Sequence, residues 1–299
     1  MNEINFKNCI LCNSLNQQVY IPAGDIPGRN NIMKCQSCGL VFFENNNQGN
    51  VLDDSYWDEK SQKYIYERQD VHSSFENEFK ERIKRIENLK EKGILLDIGC
   101  GLGHFLSVAR EYGWKALGVE ISQQAAKYAR ETLKLDVRQG TIENCKIENN
   151  SVDVITMWDV IEHIQNPLEA LSAIRDKLKE GGMLVIKTPD AGSLFKAFSI
   201  FLYRLSFKKL SFQLKYVYYL PHYFYYDKMN IRRMLDKFNF KIIKISSGQT
   251  DYNFAKEKIT LHYKNYFSKN FILAFLPAFF VFARIFKMQN KMVIYAVKI

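Results

Sequence analysis

The stretch LLDIGCGLGHFL, from Leu95 to Leu106, determines the fold of this 299-residue chain. An apolar run ends in an acid, Asp97, and three glycines then alternate with other residues before the chain becomes apolar again. This order is typical of a buried strand, a tight turn and a helix. Such a turn exposes backbone amides at a helix N-terminus, where a ligand can approach closely. The stretch therefore predicts a ligand-binding turn in an α/β domain.

The rest of the chain continues this alternation of strand and helix. Seven segments have the apolar composition of buried strands: 94–99, 115–121, 135–140, 152–160, 183–189, 241–246 and 292–299. Three segments between them have the apolar spacing of helices: 104–113, 122–133 and 167–182. Ser122 is expected to cap the second helix, and two glycines at 181–182 are expected to end the third. The alternation predicts a doubly wound, Rossmann-like α/β sheet.

Four of the six cysteines form two CxxC pairs near the N-terminus: Cys9, Cys12, Cys35 and Cys38. The stretch IMKCQSCGLVFF predicts a strand, a knuckle and a strand, and the 22 residues between the pairs leave room for a hairpin. Four thiolates at this spacing suit tetrahedral Zn²⁺ rather than disulfides in a cytoplasmic chain. We therefore predict a structural zinc ribbon at 1–45 that needs its metal in order to fold.

Composition divides the remaining chain into a connecting region and a main domain. Residues 46–92 are predicted to hold a polar linker and then an amphipathic helix from about Tyr64 to Leu89. Residues 93–299 are predicted to form the α/β domain, with helical lid insertions at 193–235 and 252–288. The N-terminus has neither a basic region nor a long apolar run, which predicts a cytoplasmic protein without a signal peptide.

The glycine order and two acids restrict the ligand of the first turn. A dinucleotide site favours G-x-G-x-x-G with pyrophosphate on the turn, but Gly99 to Gly103 reads G-x-G-x-G. Asp97 would repel a phosphate and suits an ammonium group. Glu120, at the end of the next strand, can accept hydrogen bonds from both ribose hydroxyls. S-adenosylmethionine has a ribose, an ammonium group and no phosphate, and we predict it as the cofactor.

With these motifs the sequence resembles a known family. DIGCGLGHF and GVEIS, followed by DVIEHIQNP and LKEGGMLVIKTP, are similar to motifs of the class I S-adenosylmethionine-dependent methyltransferases. The resemblance is strongest over 90–190. It implies a seven-stranded sheet with an antiparallel last strand, formed here by KIIKIS and MVIYAVKI.

The resemblance also implies roles for particular residues. The first turn, including Asp97 and Cys100, would line the methionine side of the cofactor through Gly99, Gly101 and Gly103. Glu120 would hold the ribose and Ile121 would pack on the adenine. The turn after the third strand, with Gly140, Thr141 and Ile142, would meet the adenine. The end of the fourth strand, with Trp158 and Asp159, would lie near the sulfonium.

The stretch WDVIEHIQNP concentrates charge where the methyl acceptor should lie. Methyl transfer to a hydroxyl needs a base to take the proton, and His163 is the candidate, with Asp159 and Glu162 to orient it. Alternatively, Asp159-x-x-Glu162-His163 resembles the metal motif of ubiquinone-pathway O-methyltransferases and small-RNA 3′-end methyltransferases. His222 would complete that site for a second divalent metal, although Asp159 stands where those families have glutamate. A third interpretation is a structural Glu-His pair.

The insertion at 193–220 contains nine aromatic residues, five Lys or Arg and no acid. This composition suits a sugar carried on a nucleotide or polyprenyl diphosphate, a membrane-surface substrate, or RNA whose bases stack on the aromatics. It also suits an ordinary lid whose aromatics are core. The apolar run at 271–286 has 16 residues, fewer than the roughly 20 of a membrane span.

A zinc ribbon followed by this domain resembles proteins of bacterial surface-polysaccharide and deoxysugar pathways. That resemblance implies methyl transfer to a hydroxyl of a small or lipid-linked sugar, in the cytoplasm or at the inner face of the membrane. The net charge of +10 fits an acidic partner or a lysine-rich surface. An RNA methyltransferase whose ribbon binds RNA, and a partner protein without catalysis, are the alternatives.

Overall fold

The computed structural model describes ten parts of the chain: 7–26, 30–44, 69–208, 211, 214–218, 222–248, 256, 260, 266–286 and 289–299. In these residues the strands are β1 (Gln17–Ile21), β2 (Ile32–Cys35), β3 (Val41–Phe43), β4 (Ile94–Ile98), β5 (Lys115–Glu120), β6 (Asp136–Gln139), β7 (Val152–Trp158), β8 (Leu178–Pro189), β9 (Phe224–Tyr225), β10 (Phe240–Gly248) and β11 (Lys291–Lys298). The helices are α1 (Gln69–Glu87), α2 (His104–Glu111), α3 (Gln123–Glu131), α4 (Pro167–Lys177), α5 (Leu194–Leu205), α6 (Leu214–Val217), α7 (Lys228–Asp236) and α8 (Tyr266–Ile285). The predicted linker lies outside the described residues.

Seven strands form one sheet in the order β10-β11-β8-β7-β4-β5-β6. The central strands are parallel, while β11 is antiparallel to both β8 and β10. This topology confirms the predicted α/β fold and its antiparallel last strand. The chain adds β5 and β6 on one side of β4 and then β7 and β8 on the other side. Ligands bind in open α/β sheets at the point where the strand order reverses in this way.

Both faces of the sheet are buried, as the continuous apolar strands predict. On one face, Leu96 and Ile155 pack with residues of α4 and α7. On the other face, Leu95 and Val154 pack with residues of α1, α2 and α3. Helix α3 begins as predicted, since the Ser122 hydroxyl accepts a hydrogen bond from the Ala125 N–H.

The predicted helix at 167–182 is wrong at its C-terminal end. Helix α4 ends at Lys177, and Leu178 already begins β8 and pairs with Val152. The next pair joins Met183 to Val154, so the four intervening residues bulge out of the ladder. Leu178 is fully buried, and burying this side chain in the sheet outweighs the helix-forming composition of the segment.

The N-terminal ribbon has the predicted strand, knuckle and strand in β2 and β3, with β1 beside β2. A fourth strand, β9, lies about 180 residues further along the chain and extends this sheet. The strand order is β1-β2-β3-β9, with Val41 opposite Tyr225 and Phe42 opposite Phe224. The 193–235 insertion is therefore not helical throughout, because β9 lies within it. Phe42 and Phe224 are both buried in the same core as the main sheet. The ribbon consequently packs directly on the α/β domain.

Candidate active site and metal cluster

The turn after β4 brings its backbone close to other elements. Gly99 has a positive φ of 66°, and a Cβ built there would lie 2.7 Å from Val160. The Gly101 N–H donates to the Glu120 carboxylate at 2.7 Å, and the Ser122 N–H donates to it at 2.9 Å. The carboxylate at the end of β5 thus fixes the turn and the start of α3 together.

Alanine at Gly99 should destabilise the protein for two reasons that a control can separate. The left-handed backbone costs a residue with a Cβ about 1 to 3 kcal/mol, and the contact with Val160 adds an overpacking cost. Gly181→Ala is the matched control, since Gly181 has φ 70° and no atom within 4 Å of the position that a Cβ would take. Urea unfolding should show a larger loss for Gly99→Ala than for Gly181→Ala. Equal losses would mean that the turn tolerates the added methyl group.

Two carboxyl groups beside this turn are buried. The Thr156 hydroxyl donates to Asp97 at 2.6 Å, and burial raises the pKa of Asp97 to about 7. Burial also raises the pKa of Glu120, although hydrogen bonds from backbone amides favour its charged form. A buried acid is stabilised by polar or cationic ligand groups, so both acids fit a ligand with hydroxyl and ammonium groups.

A cavity of about 580 Å³ lies at the carboxyl ends of β4, β5 and β7. Nine of the predicted site residues line it: Gly99, Glu120, Ile121, Gly140, Thr141, Ile142, Trp158, Asp159 and His163. Six others lie outside its lining: Asp97, Cys100, Gly101, Gly103, Glu162 and His222. The volume falls within the usual range for sites of small molecules and cofactors.

Two lysines contact Asp159, which is not among the possible metal ligands that cluster at Glu162, His163 and His222. The Lys291 ammonium donates to both carboxylate oxygens at 2.9 Å, and Lys187 lies 3.6 Å away. Burial opposes the charge of Asp159, but these lysines outweigh it and hold its pKa well below the usual range. Asp159 also has a positive φ of 58° at the end of β7. Asp159 is therefore held by lysines, while its charge still raises the pKa of Glu162, so its predicted role beside Glu162 and His163 stays a prediction.

Glu162, His163 and His222 form a compact cluster, with ligand-type atoms within 4.8 Å of one another. The two imidazole rings are 4.6 Å apart and nearly perpendicular. The Thr188 hydroxyl donates to one Glu162 oxygen at 2.9 Å, while the other oxygen has no hydrogen-bond partner among the described residues. Burial, and then Asp159, raise the pKa of Glu162 to about 8. This set can hold a proton or a divalent cation.

Three basic side chains that the sequence did not predict lie next to Trp158 and Asp159, two residues that line the cavity. The Arg82 guanidinium, from α1, lies 4.4 Å from the centre of the Trp158 ring. Lys187 and Lys291 reach Asp159 from β8 and β11. The indole nitrogen of Trp158 is buried and lacks a hydrogen-bond partner among the described residues. The amphipathic pattern of α1 predicted a helix, but it could not show that Arg82 faces the site.

The four ribbon cysteines lie in one cluster. Cys9 and Cys38 sulfurs are 3.5 Å apart, as are those of Cys12 and Cys35. Tetrahedral Zn²⁺ with Zn–S bonds of about 2.3 Å requires sulfurs about 3.8 Å apart, so these residues fit the ion. Burial raises the pKa of Cys9 to about 11, and a thiolate there requires a neighbouring cation.

Fold and site together define an α/β protein of the class I methyltransferase type. The chain belongs to the methyltransferase domain family, whose model matches residues 69–245. The matched range contains the glycine turn, Glu120, the cluster of Glu162 with its two histidines, and α1 with Arg82.

Individual relatives match parts of the chain. A ubiquinone biosynthesis O-methyltransferase of Cereibacter sphaeroides is 33% identical over 99 residues, which are 31% of this chain and 40% of that relative. The chain thus spans about two fifths of that relative's length.

Solved structures share the fold. A chain from the complex of the Haloferax volcanii Trm112 methyltransferase activator with a protein described as a methyltransferase has a TM-score of 0.55 and 15% identity. The alignment covers 82% of this chain and 96% of that one. Geranyl diphosphate C-methyltransferase of Streptomyces coelicolor has a TM-score of 0.50 at 13% identity, over 73% of this chain and 77% of that one.

Proposed function

We propose that this protein transfers the methyl group of S-adenosylmethionine to a hydroxyl of a small or lipid-linked acceptor, with a sugar as the preferred acceptor. One observation carries the proposal: a single cavity joins Gly99 and Glu120 to His163. The cavity therefore connects a nucleoside-binding turn with a side chain that can take a proton. When bound, S-adenosylmethionine supplies an electrophilic methyl group on its sulfonium.

The residues around the cavity suit each part of the cofactor. Glu120 can accept hydrogen bonds from the ribose hydroxyls, and Ile121, an exposed apolar side chain at the cavity, can pack on the adenine. The carboxylate of the methionine part suits the positive end of the site, where Arg82 lies against Trp158. The unpartnered indole N–H of Trp158 can donate to the same carboxylate.

Glutamine at Glu120 should weaken S-adenosylhomocysteine binding by about 1 to 3 kcal/mol, because hydrogen bonds to a charged acceptor are lost. That loss corresponds to roughly 5- to 150-fold in Kd, and titration calorimetry on the purified protein measures it. Glu169→Gln is the control, since Glu169 lines the same cavity from α4 and has no proposed ribose contact. If both variants weaken binding equally, Glu120 acts only through its charge and does not hold the ribose.

The acceptor hydroxyl is deprotonated by His163 in this proposal. His163 lines the cavity, and its ring packs at 4.6 Å against His222, which limits its orientations. The imidazole would take the hydroxyl proton as the acceptor oxygen displaces the sulfur from the methyl carbon that S-adenosylmethionine would supply. Alignment of the oxygen with the methyl group, in a site screened from water, supplies most of the acceleration.

A second candidate function is metal-assisted O-methylation. The observation in its favour is that ligand-type atoms of Glu162, His163 and His222 lie within 4.8 Å of one another. These residues would hold a divalent ion, which lowers the pKa of an acceptor hydroxyl. The similarity to a ubiquinone biosynthesis O-methyltransferase supports this alternative. Activity measured with a chelator, while the zinc content of the ribbon is unchanged, separates the two mechanisms. Metal assistance predicts loss of activity, and base catalysis predicts none.

The acceptor class is supported by the lid and the ribbon. Among the described residues of segment 193–220, the exposed cations Arg204 and Lys208 suit a lipid-linked sugar that carries phosphate. We propose Zn²⁺ in the ribbon and a lipid-linked acceptor at the inner face of the membrane. Nucleotide sugars and polyprenyl-linked sugars incubated with the protein and cofactor should gain one methylene unit by mass. Methylation of RNA alone, in the same assay, would contradict the sugar assignment.

A further inference from the structure

Helix α5 buries polar side chains and exposes large apolar ones, which is the reverse of an ordinary surface helix. It buries Lys196, Ser199, Ile200 and Tyr203 and turns a stripe of large apolar side chains to solvent. The stripe consists of Phe195, Phe198, Phe201 and Leu205, exposed by 39, 50, 57 and 63%. Surface helices normally place their apolar stripe toward the core. Apart from Phe195, which α8 contacts, the stripe stays exposed among the described residues.

Helix α8 continues the same apolar surface. Phe279 on α8 contacts Phe195 on α5, with ring centres 6.1 Å apart. Beyond this contact α8 exposes further large side chains, which are Phe275, Val281, Phe282, Ile285 and, just after the helix, Phe286. We call the exposed apolar residues of α5 and α8 the lid face. Contiguous apolar surfaces of this kind mark interaction sites.

In the two chain segments that contain the lid face, the only charged residues are positively charged ones. Residues 191–226 contain five Lys or Arg and no Asp or Glu, and residues 258–299 contain seven and again none. Among the described residues, Arg204, Lys208 and Arg284 are exposed beside the apolar side chains. Such a combination of apolar face and flanking cations suits a surface whose interior is hydrocarbon and whose edge is anionic.

We propose that the lid face docks on the surface of an anionic lipid bilayer, with the phenylalanines of α5 and α8 inserted at the boundary between headgroups and acyl chains. None of the described helices is long and apolar enough to cross a bilayer, so the helices lie along the surface. A second copy of the chain fits less well, because it would bring two acid-free basic segments together. A nucleic acid fits less well because aliphatic and phenyl groups outnumber the exposed cations.

Docking would place the candidate active site beside the membrane. Helix α5 directly follows β8, whose carboxyl end lies at the same edge of the sheet as the cavity. A lipid-linked acceptor would then reach the cavity without leaving the bilayer. This consequence rests on the proposed function, whereas docking itself does not, since it needs neither cofactor nor acceptor.

Vesicle sedimentation of the 299-residue chain tests the proposal. The protein should sediment with phosphatidylcholine vesicles that contain phosphatidylglycerol, and much less with phosphatidylcholine alone or at high salt. The variant Phe198→Glu/Phe201→Glu should lower the partition coefficient about tenfold or more, because two inserted side chains become charged. Leu89→Glu/Ile243→Glu is the matched control, since both residues are exposed and lie outside the lid face. It should bind vesicles as the natural protein does.

Three results would overturn the proposal. The first is no sedimentation with anionic vesicles, and the second is equal loss in the lid-face and control variants. The third is a dimer in sedimentation velocity that Phe198→Glu/Phe201→Glu dissociates, because the lid face would then be covered by a second copy. Calorimetric titration of S-adenosylhomocysteine into each variant distinguishes this failure from failure of the proposed function, as cofactor binding should be unchanged throughout.

Discussion

Replacing His163 by alanine should lower kcat for methyl transfer by about 10²- to 10⁴-fold, the usual contribution of a positioned base. Affinity for S-adenosylhomocysteine should stay within a few-fold of the natural protein, because the contacts proposed for the cofactor come from Glu120, Arg82 and Trp158. The assay is initial-rate methylation of a sugar acceptor, with calorimetry on the same sample to show that the cofactor site is intact.

His222→Ala separates the two candidate mechanisms. His222 does not line the cavity, so base catalysis predicts a smaller loss for His222→Ala than for His163→Ala. Metal assistance predicts equally large losses for both, together with inactivation by a chelator and recovery on adding a divalent ion. Burial, and then His163, lower the pKa of His222 well below its usual value, so its neutral ring suits either role. Full activity of His163→Ala would rule out both mechanisms.

The sequence predicted local features well because they depend on neighbouring residues. The glycine turn, the seven strands and the Ser122 cap follow from spacing within about ten residues, and all are present in the structure. The end of α4 was mispredicted because the burial of Leu178 in the sheet, which depends on Val152, overrides helix composition.

Parts of the candidate site were beyond prediction because they join distant segments. Lys291 reaches Asp159 across 132 positions of the chain, and no pattern around Asp159 indicates this partner. Asp159 also has a positive φ, and its N–H donates to the Lys187 carbonyl on β8, neither of which the local sequence indicates. Strand β9 was not predicted for the same reason, because its two residues pair with β3, which lies about 180 positions earlier in the chain.

Loss of the zinc that we propose for the ribbon should affect the candidate active site as well as the ribbon. A continuous path joins them: the Asn230 side chain donates to the Cys38 carbonyl at 2.8 Å, and the Phe43 N–H donates to the Tyr223 carbonyl at 3.1 Å. The Tyr223 N–H then donates to the Glu162 carbonyl at 2.8 Å. Residues 222–226 therefore lie between the ribbon and the cluster that contains Glu162.

Cys38→Ser should remove zinc, unfold the ribbon and release β9. Structural zinc contributes about 10 to 16 kcal/mol to the folding of isolated fingers. If losing the zinc lowers the free energy of unfolding of the whole protein by about 5 kcal/mol, the midpoint of thermal unfolding falls by roughly 10 °C or more. Metal analysis should find one zinc per chain before the change and none after it, and the amide of Tyr223 should exchange with deuterium much faster.

Cys145→Ser is the matched control, because Cys145 is a partly buried thiol outside the four-cysteine cluster. It should keep its zinc, its unfolding midpoint and the slow exchange of the Tyr223 amide. If the Cys38→Ser variant has no zinc but its Tyr223 amide exchanges as slowly as before, the ribbon and the active site are independent. In that case β9 does not couple them. If instead Tyr223 exchanges faster and His163-dependent activity falls in parallel, the ribbon positions the segment that carries His222, and the metal stabilises the catalytic geometry from a distance.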